Sequence, residues 1–491
     1  MTESSFVPPA IIFNGDHRPS DELAAVATGW LDFVQTSIPR TSGLTALPLN
    51  NHPDAVALFF ALSSLPLPLV VLPADPRAWR SSPPIPQDTP VFLPPSLREL
   101  AGGAARLGLR AFVVPDPQPP SRRVPSVPFL TSPGIVHFTS GSSGLPKPVY
   151  VLTRYFVMQA MAIIEACQLA TGALVAGSVP LATSYGLARG LFLPTVLRSR
   201  LGLLERFDHR ALLRLFASGP YAYWAGTPLM AAMLARAPLS GPCPAAPAIC
   251  HISTAALAAP VFRAFRERFG VPLRPNYGQT ENGFIAADTA PVDQVRPDGV
   301  GRAAPGIEIR IGDDPLQPFP PGQLGRVWFT SPRYMEGYGF PPRLAPREGR
   351  GGWWPTADIG RLDGTGYLTL AGRTDDCFKT AAGYLVSPRE IANALMNHPA
   401  ATDAVVIPVP TSEAAVIGAL VEAVSAIDPD ELRAVAAQTL PPWLRPAIVA
   451  VTERLPRLAG GKTDLQACGA LLAGRHDCTE PVRVCPEGDE R

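Results

Sequence analysis

The strongest constraint on the fold of this 491-residue chain is the alternation of short β-like runs with amphipathic helices that begins at Gly134. Such alternation is typical of an α/β core, in which helices cover a sheet. Upstream, the apolar stretch 55–72 is interrupted by Pro66 and Pro68, so it predicts a buried helix and then a buried strand rather than a membrane span. Because 46% of the residues are hydrophobic, the chain has enough apolar material for about two or three domains.

The second half of the chain changes character twice. Segment 325–370 is rich in aromatic, glycine and β-branched residues, which predicts a small β-rich subdomain. After Arg373 the sequence becomes charged and then resumes an αβ alternation, in which the capping box 387–390 predicts a helix start. We therefore predict an α/β protein with a large N-terminal αβ domain, residues 1–374, that includes the β-rich subdomain. A small C-terminal α+β domain, residues 375–491, completes the prediction.

The composition argues against several classes of partner. The formal net charge is +1, so the sequence shows no strong field that would favour nucleic acid or an acidic membrane surface. The seven cysteines form no CxxC pair, which predicts free thiols in a reducing, cytoplasmic setting and no structural metal. The first residues lack a basic segment followed by an apolar run, so we expect no secretory signal.

The sharpest motif is the loop 139–147, TSGSSGLPK, which follows an apolar strand. Small residues let backbone N–H groups turn toward phosphate oxygens, and the lysine adds a positive charge. The loop is not a Walker A motif, because Pro146 replaces the glycine before the lysine and no Ser or Thr follows it. The candidate nucleotide-binding residues of this loop are Thr139, Ser140, Gly141, Ser142, Ser143, Gly144 and Lys147.

The 139–147 loop resembles the phosphate loop of the adenylate-forming superfamily. That superfamily includes acyl- and aryl-CoA synthetases, adenylation domains of peptide synthetases and beetle luciferases. Four further motifs follow in the family's order, namely NYGQTE at 276–281, WWPTADIG at 353–360, GRTDDCFK at 372–379 and LPRLAGGK at 455–462. The resemblance implies ATP-dependent activation of a carboxylic acid as its acyl-adenylate, with pyrophosphate release and then acyl transfer to an acceptor. ATP and Mg²⁺ are the implied cofactors.

The resemblance assigns the second motif, which begins at Asn276, to the nucleotide. It implies that Tyr277 stacks on adenine next to Gly278, that Thr280 contacts the α-phosphate, and that Glu281 helps to hold Mg²⁺. A planar ring suits a purine, and a hard carboxylate suits magnesium.

The resemblance assigns the remaining motifs to the ribose and to domain motion. It implies that Asp358 grips both ribose hydroxyls and that Arg373 makes a second ribose contact. It makes Asp375 the hinge residue for the C-terminal domain, and it makes Lys462 the catalytic lysine that enters the site during adenylation.

The acyl pocket is predicted around Thr183, Tyr185, Trp224 and Ala255, and the aromatic rings favour an aryl or medium-sized acid. Thr183 stands where many family members have histidine. The loop 379–383 is one residue longer than the common pattern, at the place where CoA-using relatives line the thiol tunnel.

Three acceptors remain open. CoA comes first, a carrier-protein phosphopantetheine arm second, and a free amine, which would give an amide, third. Two other classes are also open, a luciferase-like oxidase and an inactive nucleotide-binding protein. The joint presence of Lys147, Glu281, Asp358, Arg373 and Lys462 argues against an inactive protein. The sequence predicts a small-molecule acid as partner and gives no oligomeric state.

Overall fold

A computed structural model describes most of the chain, and its contacts divide the chain into two compact units. The first unit comprises 1–308 and 329–352, and the second comprises 309–328 and 353–491. The predicted boundary at 374/375 marks the point about which the C-terminal domain is expected to rotate, and it stays a prediction. The described residues are 6–39, 42–75, 85–117, 130–139, 146–239, 241–255, 257–345, 349–374, 377–379, 385–410, 416–423, 425–456 and 463–473.

The described strands and helices alternate over most of the chain. The strands are β1 Ala10–Phe13, β2 Asp16–Arg18, β3 Thr45–Leu49, β4 Leu69–Pro73, β5 Pro90–Leu93, β6 Arg110–Val113, β7 Gly134–Phe138, β8 Pro148–Leu152, β9 Leu174–Gly177, β10 Arg200–Leu203, β11 Tyr221–Gly226, β12 Ile249–Ile252, β13 Leu273–Gln279, β14 Gly283–Ala287, β15 Arg302–Ala303, β16 Glu308–Ile311, β17 Gly325–Thr330, β18 Gly337–Phe340, β19 Arg343–Ala345, β20 Trp354–Leu362, β21 Leu368–Arg373, β22 Phe378–Lys379, β23 Leu385–Val386, β24 Ala401–Val409, β25 Val416–Ala423 and β26 Ile448–Thr452. The helices are α1 Ser20–Gly29, α2 Leu31–Ser37, α3 Pro53–Ser63, α4 Ala101–Arg106, α5 Thr153–Cys167, α6 Ser184–Leu187, α7 Leu193–Val196, α8 His209–Ala217, α9 Pro228–Arg236, α10 Ala259–Phe269, α11 Pro388–Leu395, α12 Pro429–Ala437 and α13 Leu465–Leu472, with 3₁₀ turns at Pro95–Leu100 and Pro442–Leu444 and a π-helical segment at Ala188–Phe192.

Two large sheets organise the first unit. One has nine strands in the order β15-β14-β13-β12-β11-β9-β10-β1-β2, parallel from β13 to β1 and antiparallel at both edges. The other has eight strands in the order β19-β18-β8-β7-β4-β3-β5-β6, parallel from β7 to β6. Most of the parallel strands are short, apolar and buried, as expected where helices cover both faces of a sheet. This architecture confirms the predicted α/β core.

The apolar stretch 55–72 forms the predicted helix and strand. Helix α3 is buried at all but one position, which explains why its apolar residues show no one-sided pattern. Pro53 occupies the first turn, where its missing N–H costs nothing, and the His52 ring accepts a hydrogen bond from the Asp54 N–H at 3.3 Å. Strand β4 then runs buried through the centre of the eight-stranded sheet.

The second unit contains a four-stranded sheet, β16-β17-β20-β21, and a three-stranded sheet, β24-β25-β26. The predicted N-cap is present, because Ser387 Oγ accepts from the Glu390 N–H at 3.2 Å and α11 begins at Pro388. The reciprocal half of the box is not formed, since the Glu390 carboxylate contacts Arg361 instead. Two polar contacts join α11 to the four-stranded sheet. Ser387 Oγ donates to the Ala371 carbonyl, and Arg361 Nη1 donates to Glu390 Oε1 at 2.8 Å.

The β-rich character of 325–370 is confirmed, but its strands do not all belong to one sheet. Strands β17, β20 and β21 lie in the four-stranded sheet of the second unit. Strands β18 and β19 extend the eight-stranded sheet of the first unit, because Gly337 and Tyr338 pair with Tyr150 and Val149 of β8. The described cysteines are free thiols. In the described part of the chain, no helix combines the length and the apolarity needed to cross a membrane.

His137 on β7 is a buried polar side chain that should lower the free energy of unfolding. It is fully buried beside Phe156, neither ring nitrogen has a hydrogen-bond partner among the described residues, and burial lowers its pKa to about 3. The unfolded chain takes up this proton below pH 6.5 while the folded chain does not. Protonation of His137 therefore does not lower the free energy of unfolding above about pH 6.5, but it lowers it progressively as the pH drops toward 3.

We expect His137→Leu to raise the free energy of unfolding by about 1–2 kcal/mol at pH 7, because two unpaired polar atoms leave the core. At pH 4.5 the advantage should grow by roughly 2–3 kcal/mol. Urea unfolding at both pH values checks this, with the exposed His17→Leu as control. If wild type and His137→Leu lose equal stability on acidification, the buried, uncharged ring is not the cause.

Candidate functional site

The phosphate-loop motif sits on the hairpin formed by β7 and β8. Its ends are closed by two hydrogen bonds, from Thr139 N to the Lys147 carbonyl at 3.0 Å and from Lys147 N to Thr139 Oγ1 at 3.0 Å. Thr139 is half-buried and Lys147 is exposed. The predicted residues Ser140, Gly141, Ser142, Ser143 and Gly144 lie outside the described residues.

A tyrosine joins the phosphate-loop lysine to the carboxylate of the second motif. Lys147 Nζ lies 5.6 Å from the ring centroid of Tyr338, and Tyr338 Oη donates to Glu281 Oε1 at 2.9 Å. The Glu281 carbonyl also accepts from Met335 N at 2.7 Å. Sequence analysis missed Tyr338, because its position depends on the pairing of β18 with β8, in which Tyr338 lies opposite Val149, 189 positions earlier in the chain. The structure therefore brings Lys147 and Glu281 into one cluster.

Steric fit between β13 and β14 shapes the second motif. The antiparallel pairing shifts register between Tyr277 and Gly278, and a Cβ on Gly278 would lie 2.1 Å from the Gly283 carbonyl oxygen. Only glycine allows this approach. Tyr277 is 7% exposed, its hydroxyl accepts from Gln279 Nε2 at 3.0 Å, and Thr280 follows in the turn. The adenine and phosphate contacts of these residues stay predictions.

The two predicted ribose residues face each other on paired strands of the second unit. Asp358 on β20 pairs in register with Arg373 on β21, and Arg373 Nη1 lies 3.6 Å from Asp358 Oδ1. Asp358 N donates to Thr356 Oγ1 at 3.0 Å, and Thr374 N donates to the Ala357 carbonyl at 2.7 Å. These bonds fix the third and fourth motifs side by side. Asp375 and Lys462 lie outside the described residues.

The predicted acyl-pocket residues separate into two groups. Thr183 is exposed and caps α6 by accepting from Gly186 N at 2.9 Å, while Tyr185 is partly exposed and donates to the His251 carbonyl at 3.1 Å. Ala255 is exposed. Trp224 does not join the exposed or partly exposed residues Thr183, Tyr185 and Ala255. Its ring is fully buried, stacks with Phe265 and donates to Ser178 Oγ at 2.9 Å, so it serves the core.

The segment beside Ala255 has a strained backbone. Thr254 has φ +78°, a conformation that costs a β-branched residue of order 1–3 kcal/mol. The preceding Ser253 donates from Oγ to the Asn276 carbonyl at 3.0 Å. This bond ties the strained segment to the start of the second motif, and such strain is concentrated at functional sites.

The acidic side chains present suit nucleotide-bound magnesium better than a metal ion that is bound only by protein ligands. No group of three His, Cys, Asp or Glu side chains suited to a metal occurs among the described residues. Mg²⁺ in nucleotide sites takes one or two carboxylates and completes its shell with phosphate oxygens and water. Glu281, partly exposed and oriented by Tyr338, fits that role.

We expect Tyr338→Phe to reduce the rate of adenylation about tenfold, because Glu281 loses the hydrogen bond that orients its carboxylate. The apparent Mg²⁺ requirement should rise, while the aromatic face next to Lys147 is kept. Pyrophosphate release measured against Mg²⁺ concentration checks this. Tyr155→Phe is the matched control, since the Tyr155 hydroxyl contacts Glu336 at 3.4 Å instead. An unchanged Mg²⁺ dependence would contradict the orienting role.

The amino-acid sequence matches the family model of the AMP-binding enzyme over residues 95–339 and that of the AMP-binding enzyme C-terminal domain over residues 390–462. The chain therefore belongs to the AMP-binding, adenylate-forming enzyme family, and the predicted resemblance is confirmed.

Curated relatives include CoA ligases. A sulfoacetate–CoA ligase of Cupriavidus necator is 29% identical over 301 residues, which is 60% of this chain and 56% of that protein. The acyl-coenzyme A synthetase ACSM2 of Rattus norvegicus is 30% identical over 295 residues, which is 56% of this chain and 49% of that protein. The chain thus spans about half the length of these relatives. A feruloyl-CoA synthase of Amycolatopsis is 27% identical, with 74% of each chain covered.

Solved structures share the fold. ATP-bound MatB from Rhodopseudomonas palustris has a TM-score of 0.77 at 21% identity and covers 95% of this chain and 96% of its own. The amide bond synthetase McbA from Marinactinospora thermotolerans has a TM-score of 0.74 at 24% identity, with 96% and 98% covered. At these identities the likeness shows the architecture, which agrees with the predicted large and small α/β parts.

Proposed function

We propose that this protein activates a carboxylic acid with ATP to form an acyl-adenylate, releases pyrophosphate, and transfers the acyl group to a thiol. The observation that carries the proposal is the cluster in which Tyr338 contacts both the phosphate-loop Lys147 and the motif carboxylate Glu281. Family membership and the CoA-ligase names of the relatives support it.

The proposed roles follow from charge and position. Backbone N–H groups of the 139–147 loop and the Lys147 ammonium bind phosphate oxygens. Tyr277 offers a ring for adenine, and Thr280 a hydroxyl for the α-phosphate. In the second unit, Asp358 accepts from the ribose hydroxyls, and Arg373, whose Nη1 lies 3.6 Å from that carboxylate, makes a second ribose contact. Bound magnesium, held by Glu281, would neutralise charge on the triphosphate.

The chemistry runs in two steps. A carboxylate oxygen of the acid attacks the α-phosphorus, the bond to the β-phosphate bridging oxygen breaks, and pyrophosphate leaves. Lys462 offsets the charge that develops on the acid and the phosphate. A thiolate then attacks the acyl carbon, and AMP leaves with the bonding electron pair. The second step requires Lys462 to withdraw, which is why Asp375 is proposed as the hinge.

CoA is the proposed thiol, with a carrier-protein phosphopantetheine arm as the second. The amide bond synthetase among the structural neighbours keeps a free amine open as an acceptor. The relatives' names span sulfoacetate, malonate and feruloyl, so they select no acid. An aryl or medium-sized acid is proposed because the partly exposed Tyr185 offers a flat apolar wall.

Pyrophosphate release over a panel of carboxylic acids tests the activation step. Product masses with no acceptor, CoA, a phosphopantetheinylated carrier protein and an amine then identify the acceptor. Acid-dependent pyrophosphate release with an acyl-CoA product is expected. Oxygen uptake by the adenylated acid would indicate a luciferase-like oxidase. ATP binding without pyrophosphate release for any acid would indicate an inactive nucleotide-binding protein.

A further inference from the structure

Behind Tyr185 lies a buried arginine that the roles above do not use. Arg189 is 3% exposed and belongs to the π-helical segment Ala188–Phe192. Its guanidinium carbon lies 4.5 Å from the ring centroid of Tyr185 and 5.4 Å from that of Phe284. A π-helical turn costs regular hydrogen bonding and occurs often at functional sites, which makes this arginine a candidate.

The positive charge of Arg189 has no carboxylate partner in the described part of the chain. Its Nη1 donates to Gln159 Oε1 at 3.3 Å and its Nη2 to Asn276 Oδ1 at 3.2 Å, and both acceptors are neutral amides. The Nε–H has no hydrogen-bond partner among the described residues, whose ion pairs do not include this arginine. An unpaired buried charge is strongly destabilising, so its presence requires a reason.

The titratable groups near Arg189 do not provide an anion. Burial raises the pKa of the Cys167 thiol to about 12 and holds the pKa of the Tyr223 hydroxyl well above its usual value. Burial also holds the pKa of His251 well below its usual value, so that ring is neutral. These three side chains stay uncharged around pH 7, and the arginine remains uncompensated.

Two other buried arginines show what a structural role looks like in this protein. Arg274 donates from Nη1 to the carbonyls of Asp288 and Ala290 at 3.2 and 2.7 Å. Arg333 donates to the carbonyls of Phe284 and Pro305, each at 3.4 Å. Both arginines clamp the main chain, although the Nε–H of each also has no hydrogen-bond partner among the described residues. Arg189 instead contacts the side-chain amides of Gln159 and Asn276 and makes no described bond to a main-chain carbonyl.

Arg189 is also next to the predicted acyl pocket. Asn276, which accepts from its Nη2, is held through its carbonyl by Ser253, and Ser253 leads into the strained Thr254 and the exposed Ala255. Tyr185, which covers the guanidinium, is itself partly exposed. The buried charge is therefore linked to the exposed segment through Asn276 and Ser253, and it contacts the ring of Tyr185 directly.

We propose that Arg189 binds a second anionic group of the substrate. The substrate class is then an aryl or medium-sized acid that carries a distal carboxylate or sulfonate besides the carboxylate that is activated. This inference rests on the proposed function. The planar guanidinium pairs with such groups through two parallel hydrogen bonds, and the buried setting strengthens that pairing. A monoacid leaves the charge unpaired, and sites with unpaired buried polar groups discriminate strongly.

Pyrophosphate release with matched acids tests the proposal, using adipate against hexanoate and terephthalate or 4-sulfobenzoate against benzoate. Wild type is expected to prefer the doubly charged acid by about 100-fold in kcat/KM. Arg189→Met should abolish that preference, Arg189→Lys should restore part of it, and neither variant should change the KM for ATP. Arg333→Met is the matched control, which is expected to lower thermal stability without changing the preference.

A binding measurement separates failure of this inference from failure of the proposed function. Without ATP, adipate or terephthalate should raise the Tm of wild type, hexanoate or benzoate should not, and Arg189→Met should lose the shift. If no acid releases pyrophosphate while this pattern holds, the proposed function fails and the anion site stands. Equal use of monoacids and diacids by wild type overturns the inference. The inference is also overturned if Arg189→Met loses pyrophosphate release equally with monoacids and diacids and has a lower Tm. Arg189 would then have a structural role.

Discussion

Glu281→Gln is expected to lower the rate of pyrophosphate release by about 100- to 1,000-fold without unfolding the protein. The substitution removes one negative charge and keeps the size of the side chain and an oxygen that can accept from Tyr338. The fold should persist, because the main-chain bond from Met335 N to the Glu281 carbonyl is unaffected. The loss should therefore appear in turnover and in the Mg²⁺ requirement rather than in the Tm.

The matched control is Glu336→Gln, because Glu336 lies in the adjoining segment and contacts the Tyr155 hydroxyl rather than Tyr338. Both variants are assayed for pyrophosphate release across a Mg²⁺ titration. Activity within twofold of wild type in Glu281→Gln would remove the carboxylate from the proposed site. Equal losses in both variants would point to a general effect of removing a carboxylate rather than to magnesium binding by Glu281.

Lys462→Ala is expected to slow the adenylation half-reaction by about 100- to 1,000-fold while transfer from a supplied acyl-adenylate stays within about twofold of wild type. The lysine is proposed to act only while the acid attacks the α-phosphate. Its loss should reduce turnover and leave the affinity for ATP nearly unchanged. Lys462 lies outside the described residues, so this experiment is the direct test of its assignment.

Each half-reaction is measured in a single turnover, adenylation as pyrophosphate release and transfer as thioester formation. Arg457→Ala removes a nearby positive charge from the same segment and serves as the control. Parallel loss of both half-reactions in Lys462→Ala would show that the residue supports folding instead. Normal adenylation would place the catalytic charge elsewhere.

Local patterns in the sequence predicted the parts of the structure that have local causes. The stretch 55–72 is apolar on all sides, and it forms the buried α3 and β4. Ser387 supplies the cap that its spacing to Glu390 predicts. Asp358 and Arg373 occur in separate motifs that the chain joins by a short turn, so hairpin pairing brings them together.

The residues that sequence analysis missed or misplaced depend on contacts between distant segments. Tyr338 reaches Glu281 only because β18 adds to the sheet beside β8, and no local pattern encodes that neighbour. Trp224 lies on a strand whose two faces both carry aromatic or small residues, so residue type did not reveal that its ring faces the core. Arg189 did leave a signal, since it is the lone charge in the apolar run 187–193.

The two polar contacts between α11 and the four-stranded sheet affect the rate at which the proposed domain rotation can occur. If the C-terminal domain rotates about Asp375, the bonds from Ser387 to the Ala371 carbonyl and from Arg361 to Glu390 must break in every turnover. The Arg361 side chain is 37% exposed, so dissolved salt weakens its attraction to Glu390. Higher ionic strength should then speed the interchange of the two orientations, whichever acid is being activated.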